Sequence, residues 1–129
     1  MWKGGKGIMK RSLMKRSPTL MRYRAFGETF LVQVMVTKFY NGIPCVQLFS
    51  YVTDNQDDDY LEPFMRCSVN VPSEQLSPGE VIIKDYSENE GCEAWMEKNG
   101  VLEPGIIRTI ALGFVKVNVR KLTKDYRDD

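Results

Sequence analysis

The chain has no histidine. That removes the commonest general base, the usual zinc ligand and every Ser-His or Cys-His nucleophile pair. Cysteine is scarce: Cys45, Cys67 and Cys92 are odd in number and show no C-x-x-C spacing. They predict neither a disulfide framework nor a structural zinc site, but buried free thiols in a reducing cytoplasm. No apolar run approaches the roughly 20 residues that span a bilayer, and the first residues lack the apolar segment of a signal peptide. A glycine-rich phosphate loop is missing as well, since Gly4-Gly5-Lys6-Gly7 has neither the spacing nor a flanking strand. With these absences no reaction can be written. The expectation is a non-enzymatic cytoplasmic protein with no cofactor, no metal and no membrane contact.

Acids are missing from the start of the chain. Lys3, Lys6, Lys10, Arg11, Lys15, Arg16, Arg22 and Arg24 all precede the first one, Glu28. The other ten basic residues face all 17 acids, so residues 28–129 carry a balance of −7. A basic arm therefore precedes an acidic domain. The 129-residue length suits one domain, and 43% hydrophobic residues can fill its core. We divide the chain into a disordered basic arm (1–21), one domain (22–122) and a charged tail (123–129). Met1, Met9 and Met21 are each possible starts. Lys3-Gly4-Gly5 can be encoded by a bacterial ribosome-binding sequence, which favours Met9 as the natural first residue.

Strand patterns dominate the chain beyond the arm. Phe30, Val32, Val34 and Val36 alternate with Leu31, Gln33, Met35 and Thr37, which predicts a long strand. Asn41-Gly42 predicts a two-residue hairpin turn before a returning strand that begins near Pro44. Residues 53–63 form a polar break, and Phe64–Val71 reads as the next strand. Val81, Ile82 and Ile83 are β-branched and suit a pleated surface. Ser87 and Glu90 have the spacing of a capping box, and Asn99-Gly100 that of a helix stop, so one helix is expected between them. Trp95 and Met96 would anchor it. Ile106–Leu112 and Phe114–Leu122 read as two strands about Gly113, a bulge or tight connection. In the last strand Val115, Val117 and Val119 face one way, and Lys116, Asn118 and Arg120 the other. The order is strands, one helix, then strands. That predicts an α+β fold: a curved or barrel-like antiparallel sheet of five to seven strands with one helix.

Three clusters are candidates for function. The loop with Asp57, Asp58, Asp59 and Glu62 fails the helix–loop–helix calcium pattern, because the sixth position from Asp54 is Asp59 and the twelfth is Met65. These acids, with Glu88 and Glu90, are instead candidate contacts for a basic protein partner. Asp85, Glu88 and Glu90 also suit a helix start. The basic pairs Lys10-Arg11 and Lys15-Arg16 are candidate phosphate contacts. Phe39, Tyr40, Phe49 and Tyr51 could form a stacking face on a sheet, as in oligonucleotide-binding barrels, or belong to the core.

Several stretches resemble a family of short bacterial domains of unknown function. They are Asn41-Gly42 with Val46-Gln47-Leu48, then Ser68 to Pro72, then Glu80 to Gly91, then Gly113-Phe114-Val115 with Val117 and Leu122. The family is carried on plasmids, conjugative elements and phages, mostly of gut bacteria. It has no assigned catalytic residues. The resemblance implies a setting, a small accessory gene on a mobile element, and by analogy an inhibitor of a host nucleic-acid-directed defence complex. The first functional expectation is an acidic domain that occupies a basic surface of a host protein. The second is a nucleic-acid-binding module using the arm and an aromatic sheet face. The third is a small-molecule or nucleotide binder with a pocket under the helix.

Overall fold

The computed structural model describes residues 15–53 and 59–128. The fold is α+β and mostly antiparallel sheet, with a single α-helix among the described residues. The strands form two sheets rather than one of five to seven strands, and neither closes into a barrel. The first contains β1 (Lys15–Arg16), β2 (Met21–Ala25), β3 (Glu28–Lys38), β4 (Pro44–Thr53) and β5 (Asp59–Arg66). β1 and β2 lie one after the other along one edge of β3, β4 lies along the other, and β5 is the far edge. The second sheet has the order β6-β7-β9-β8, with β6 (Ser68–Val69), β7 (Glu80–Ile83), β8 (Arg108–Leu112) and β9 (Val115–Lys121). The expected strand Phe64–Val71 is thus divided between the sheets at Cys67. Its N–H donates to the Val46 carbonyl in one sheet, and its carbonyl accepts from Lys84 beyond the strand β7 of the other, both at 2.8 Å.

Side-chain alternation explains the layering. Val32, Val34, Val36, Val46 and Leu48 point inward and meet Val81 and Ile83 of β7, Met96 of the helix, and Val101, Leu102 and Leu122. The opposite face of the second sheet buries Ile82, Val117 and Val119 under Val71, Leu76 and Tyr86. The helix α1 (Cys92–Lys98) fits between the sheets. Met96 is fully buried, and the Trp95 ring stands edge-on to Tyr23 with centroids 5.1 Å apart. Its indole N–H donates to the Arg22 carbonyl at 2.7 Å, tying the helix to β2.

Local details differ from expectation at three turns. Asn41-Gly42 does not make a two-residue turn. Gly42 alone has positive φ, Gly42 N–H donates to the Phe39 carbonyl, and Phe39 N–H donates to Ile43. This is the longer turn-plus-bulge connection, which needs only one left-handed residue. The two-residue turn with both central residues left-handed lies instead at Phe26-Gly27, between the paired Ala25 and Glu28. The capping box does not form either. Ser87–Asn89 is a 3-10 turn, Ser87 has φ +58, and the helix begins only after Gly91, with no side-chain cap. The Gly91 N–H is taken by the Asp85 carboxylate. The helix does stop at Asn99-Gly100. Gly100 N–H donates to Glu97 and Val101 N–H to Met96, the paired bonds of a Schellman end that requires a left-handed residue at Gly100.

The polar face of β9 is turned inward. Arg120 is 3% exposed and donates to Glu93 at 2.6 Å, to Glu97, and to the Glu103 carbonyl at 3.0 Å. Asn118 donates to both oxygens of Glu93. A buried charge needs such partners, and here they fix the helix over the second sheet. No helix among the described residues is long and apolar enough to cross a membrane.

Candidate nucleic-acid interface

The expected arm runs to residue 21, yet from Lys15 the chain already lies on the first sheet. Ser17 holds it there. Its N–H donates to the Val34 carbonyl at 2.9 Å, its hydroxyl accepts from Val34 N–H at 3.0 Å, and its carbonyl accepts from the Gln33 amide at 2.8 Å. Ser17 is buried while Arg16 beside it is exposed.

The register then places the side chains. Val32, Val34 and Val36 point into the core, so Leu31, Gln33 and Met35 point out. Arg16 lies opposite Met35 and Arg22 opposite Leu31, with Arg24 opposite Thr29. On the other side of β3, Met35 lies opposite Gln47, which lies opposite Arg66. One row therefore reads Arg16, Met35, Gln47, Arg66 across the sheet. The next reads Gln33, Phe49, Pro63. Tyr51 and Leu61 pair on the same face. Rows are about 7 Å apart along the strands, and neighbouring strands about 4.8 Å apart.

The outer face thus carries four arginines around Phe49, Tyr51, Leu31, Met35 and two glutamine amides, with Asp59 on the same face at the Tyr51 end. Arg66 lies over the Phe39 ring, 5.8 Å from its centroid. Arg24 donates to Thr29 at 3.1 Å. Leu31 and Tyr51 are 43% and 37% exposed, enough surface for a flat ring to rest on. Pro63 sits beside a register shift in the edge strand β5, the kind of position that tolerates a missing N–H. Guanidinium forks suit phosphate oxygens, and aromatic rings beside them suit unstacked bases.

The sites expected from the sequence are distributed differently. Lys10, Arg11, Asp57 and Asp58 lie outside the described residues. Arg16 joins the outer face, whereas Lys15, one residue away on a strand, lies opposite Val36 and faces the other way. Asp59 begins β5 and accepts a 2.6 Å hydrogen bond from the Tyr51 hydroxyl. Glu62 lies on the same strand opposite Ser50. Glu88 belongs to the 3-10 turn before α1 and is paired with Lys84 at 2.9 Å, and Glu90 is exposed after it. The Lys84 ammonium holds the Glu88 carboxyl down to about 2. Of the described acids, Asp59 and Glu62 therefore belong to β5, and Glu88 and Glu90 to the turn before α1. Among the aromatics, Tyr40 is 88% exposed at the β3–β4 connection.

Arg22, Arg24 and Arg66 were not singled out by sequence reasoning. For the first two a signal exists: Arg22 and Arg24 alternate with Met21, Tyr23 and Ala25, a two-residue period at the boundary of the supposed arm. Arg66 has no such signal, because its face depends on the register shift in β5.

The three cysteines are buried and free. Cys92 donates its thiol to the Lys84 carbonyl at 3.1 Å. The neighbouring Cys67 and burial together push the Cys92 thiol well above its usual range, and burial raises that of Cys45. Neither is disposed to act as a nucleophile. Among the described residues no three His, Cys, Asp or Glu side chains gather so as to hold a metal ion. A cavity of about 580 Å³ opens between the β3–β4 connection and the C-terminal segment, away from α1. Comparison with protein-family models, curated proteins and solved structures finds no match to this chain.

Proposed function

We propose that the protein is a non-enzymatic binder of single-stranded nucleic acid, which lies across the outer face of the first sheet. The observation that carries this reading is the placement of Arg16, Arg22, Arg24 and Arg66 on one face, interleaved with Phe49 and Tyr51. Arginines neutralise backbone phosphates, and splayed bases stack on the rings. A duplex hides its base faces and would leave the rings unused. Charge segregation explains how a chain of net charge +1 can bind a polyanion at all. The acidic reading has less support, because Asp59 is engaged by Tyr51 and Glu88 by Lys84, on different elements. The resemblance to mobile-element domains fits a protein that handles nucleic acid, or competes for it with a host complex.

Fluorescence anisotropy with a labelled oligothymidylate of about 15 nucleotides tests the reading. Binding is expected at low salt. Phe49→Ala should weaken it by about 1–3 kcal/mol, the usual worth of one stacked base. Removal of residues 1–14 should leave binding by the sheet face measurable. No binding at low salt, or full affinity in both Phe49→Ala and Arg66→Gln, would contradict it.

A further inference from the structure

The cavity behind β1 and the end of β3 has a one-sided chemistry. Lys15, Lys38, Lys121 and Arg127 line it, and Asp128 is its single carboxylate among the described lining residues. Lys15 reaches it because β1 alternates: Arg16 is given to the outer face and Lys15 to this one. The remaining wall is largely apolar, with Ile43, Pro44, Leu76, Pro78 and the ring of Tyr126. Lys38 and Asp128 pair at 2.9 Å, each about one-third exposed. Arg127 is held by Glu103 at 2.7 Å and by the Leu122 carbonyl at 2.9 Å, so it is a fixed charge in the wall. The volume of about 580 Å³ falls in the range of small-ligand sites.

We propose that this cavity binds an organic phosphate of nucleotide size. Lys15 and Lys121 take the phosphate, and the apolar wall with Tyr126 takes the organic part. Lysine ammonium groups on flexible stems suit a compact anion, and they are drawn here from two strands that are distant in sequence. The Lys38–Asp128 pair sits at the same wall, where the Asp128 carboxylate competes with an incoming phosphate for Lys38. The site is distinct from the sheet face, since Lys15 and Arg16 point to opposite sides of β1 and none of the four sheet-face arginines lines the cavity.

Isothermal titration of the full chain with ADP, adenosine and inorganic pyrophosphate tests the proposal, with circular dichroism confirming that each variant is folded. ADP should bind saturably and at least about tenfold more tightly than either adenosine or pyrophosphate. The double variant Lys15→Gln/Lys121→Gln should lose about tenfold or more in affinity for ADP, and Asp128→Asn should bind ADP more tightly than the unaltered protein. Arg22→Gln/Arg66→Gln, which alters the sheet face, should bind ADP unchanged. The proposal is overturned if ADP does not saturate up to about 5 mM, or if adenosine or pyrophosphate binds as well as ADP. It is equally overturned if the double lysine variant binds unchanged, or if the sheet-face variant loses affinity as the lysine variant should.

Discussion

Arg120 shows how one residue can hold two layers together. It is buried in the second sheet, yet its two terminal nitrogens reach Glu93 and Glu97 on α1 and the carbonyl of Glu103 beyond it. Its Nε has no hydrogen-bond partner, so the group is already short of one bond. The two acids are not equivalent. The Glu93 side chain is 10% exposed and the Glu97 side chain 42%. Glu93→Gln leaves the buried guanidinium with only the half-exposed Glu97 carboxylate and should destabilise the fold by about 3 kcal/mol. Glu97→Gln, at a carboxylate still partly in solvent, should cost less, about 1 kcal/mol. Urea unfolding of the two variants measures both, and equal losses would contradict the assignment of Glu93 as the buried partner. The sequence alternation of β9 shows that Asn118 and Arg120 share a face, but not that α1 covers it. Covering depends on where the helix lies, which no local pattern encodes.

At the scale of elements, the legible parts are those whose cause is local. The valine alternation of β3, the β-branched run of β7, and the stop at Asn99-Gly100 all have their explanation within a few residues. The parts that differ from expectation depend on longer-range choices. Ser87 and Glu90 have the capping spacing, but the segment is drawn into a 3-10 turn. Its Asn89 is buried and donates to the Arg66 carbonyl of the other sheet at 2.6 Å, so the helix starts later, at Cys92. Phe26-Gly27 takes the tight turn despite a phenylalanine in the left-handed region, because the pairing of β2 with β3 leaves two residues between Ala25 and Glu28. The candidate site was legible only in part for the same reason. Its arginines come from β1, β2 and β5, and only register brings them together. The turn before α1 also carries a pH signature. Lys84 holds Glu88 at about 2, below the ordinary 4.5 of its carboxyl. The depressed value means that this contact stabilises the fold above the ordinary carboxylate range and is lost as pH falls through about 2. An NMR titration should give Glu88 a midpoint near 2, and Lys84→Gln should return it toward 4.5. A Glu88 midpoint unmoved by that replacement would place the cause elsewhere.

Over the whole molecule, the fold separates two jobs. The layers between the sheets hold the structure, and the outer face of the first sheet is left with arginines, rings, amides and, at one margin, the Asp59 carboxylate. Net charge says little about such a protein, because +1 is the sum of a face that carries four arginines against Asp59 at its margin and of acids carried on other elements. The N-terminal stretch, which composition marks as an arm, supplies β1 and β2 to this face from Lys15 onward. Composition alone could not distinguish a tether from an edge strand. The most direct measurement is the salt dependence of oligothymidylate binding, compared between the unaltered protein and Arg16→Gln/Arg22→Gln/Arg24→Gln/Arg66→Gln. If the four arginines each neutralise one phosphate, log K should fall against log salt with a slope steeper by about 3 in the unaltered protein than in the variant. Equal slopes, with both proteins folded, would contradict the account.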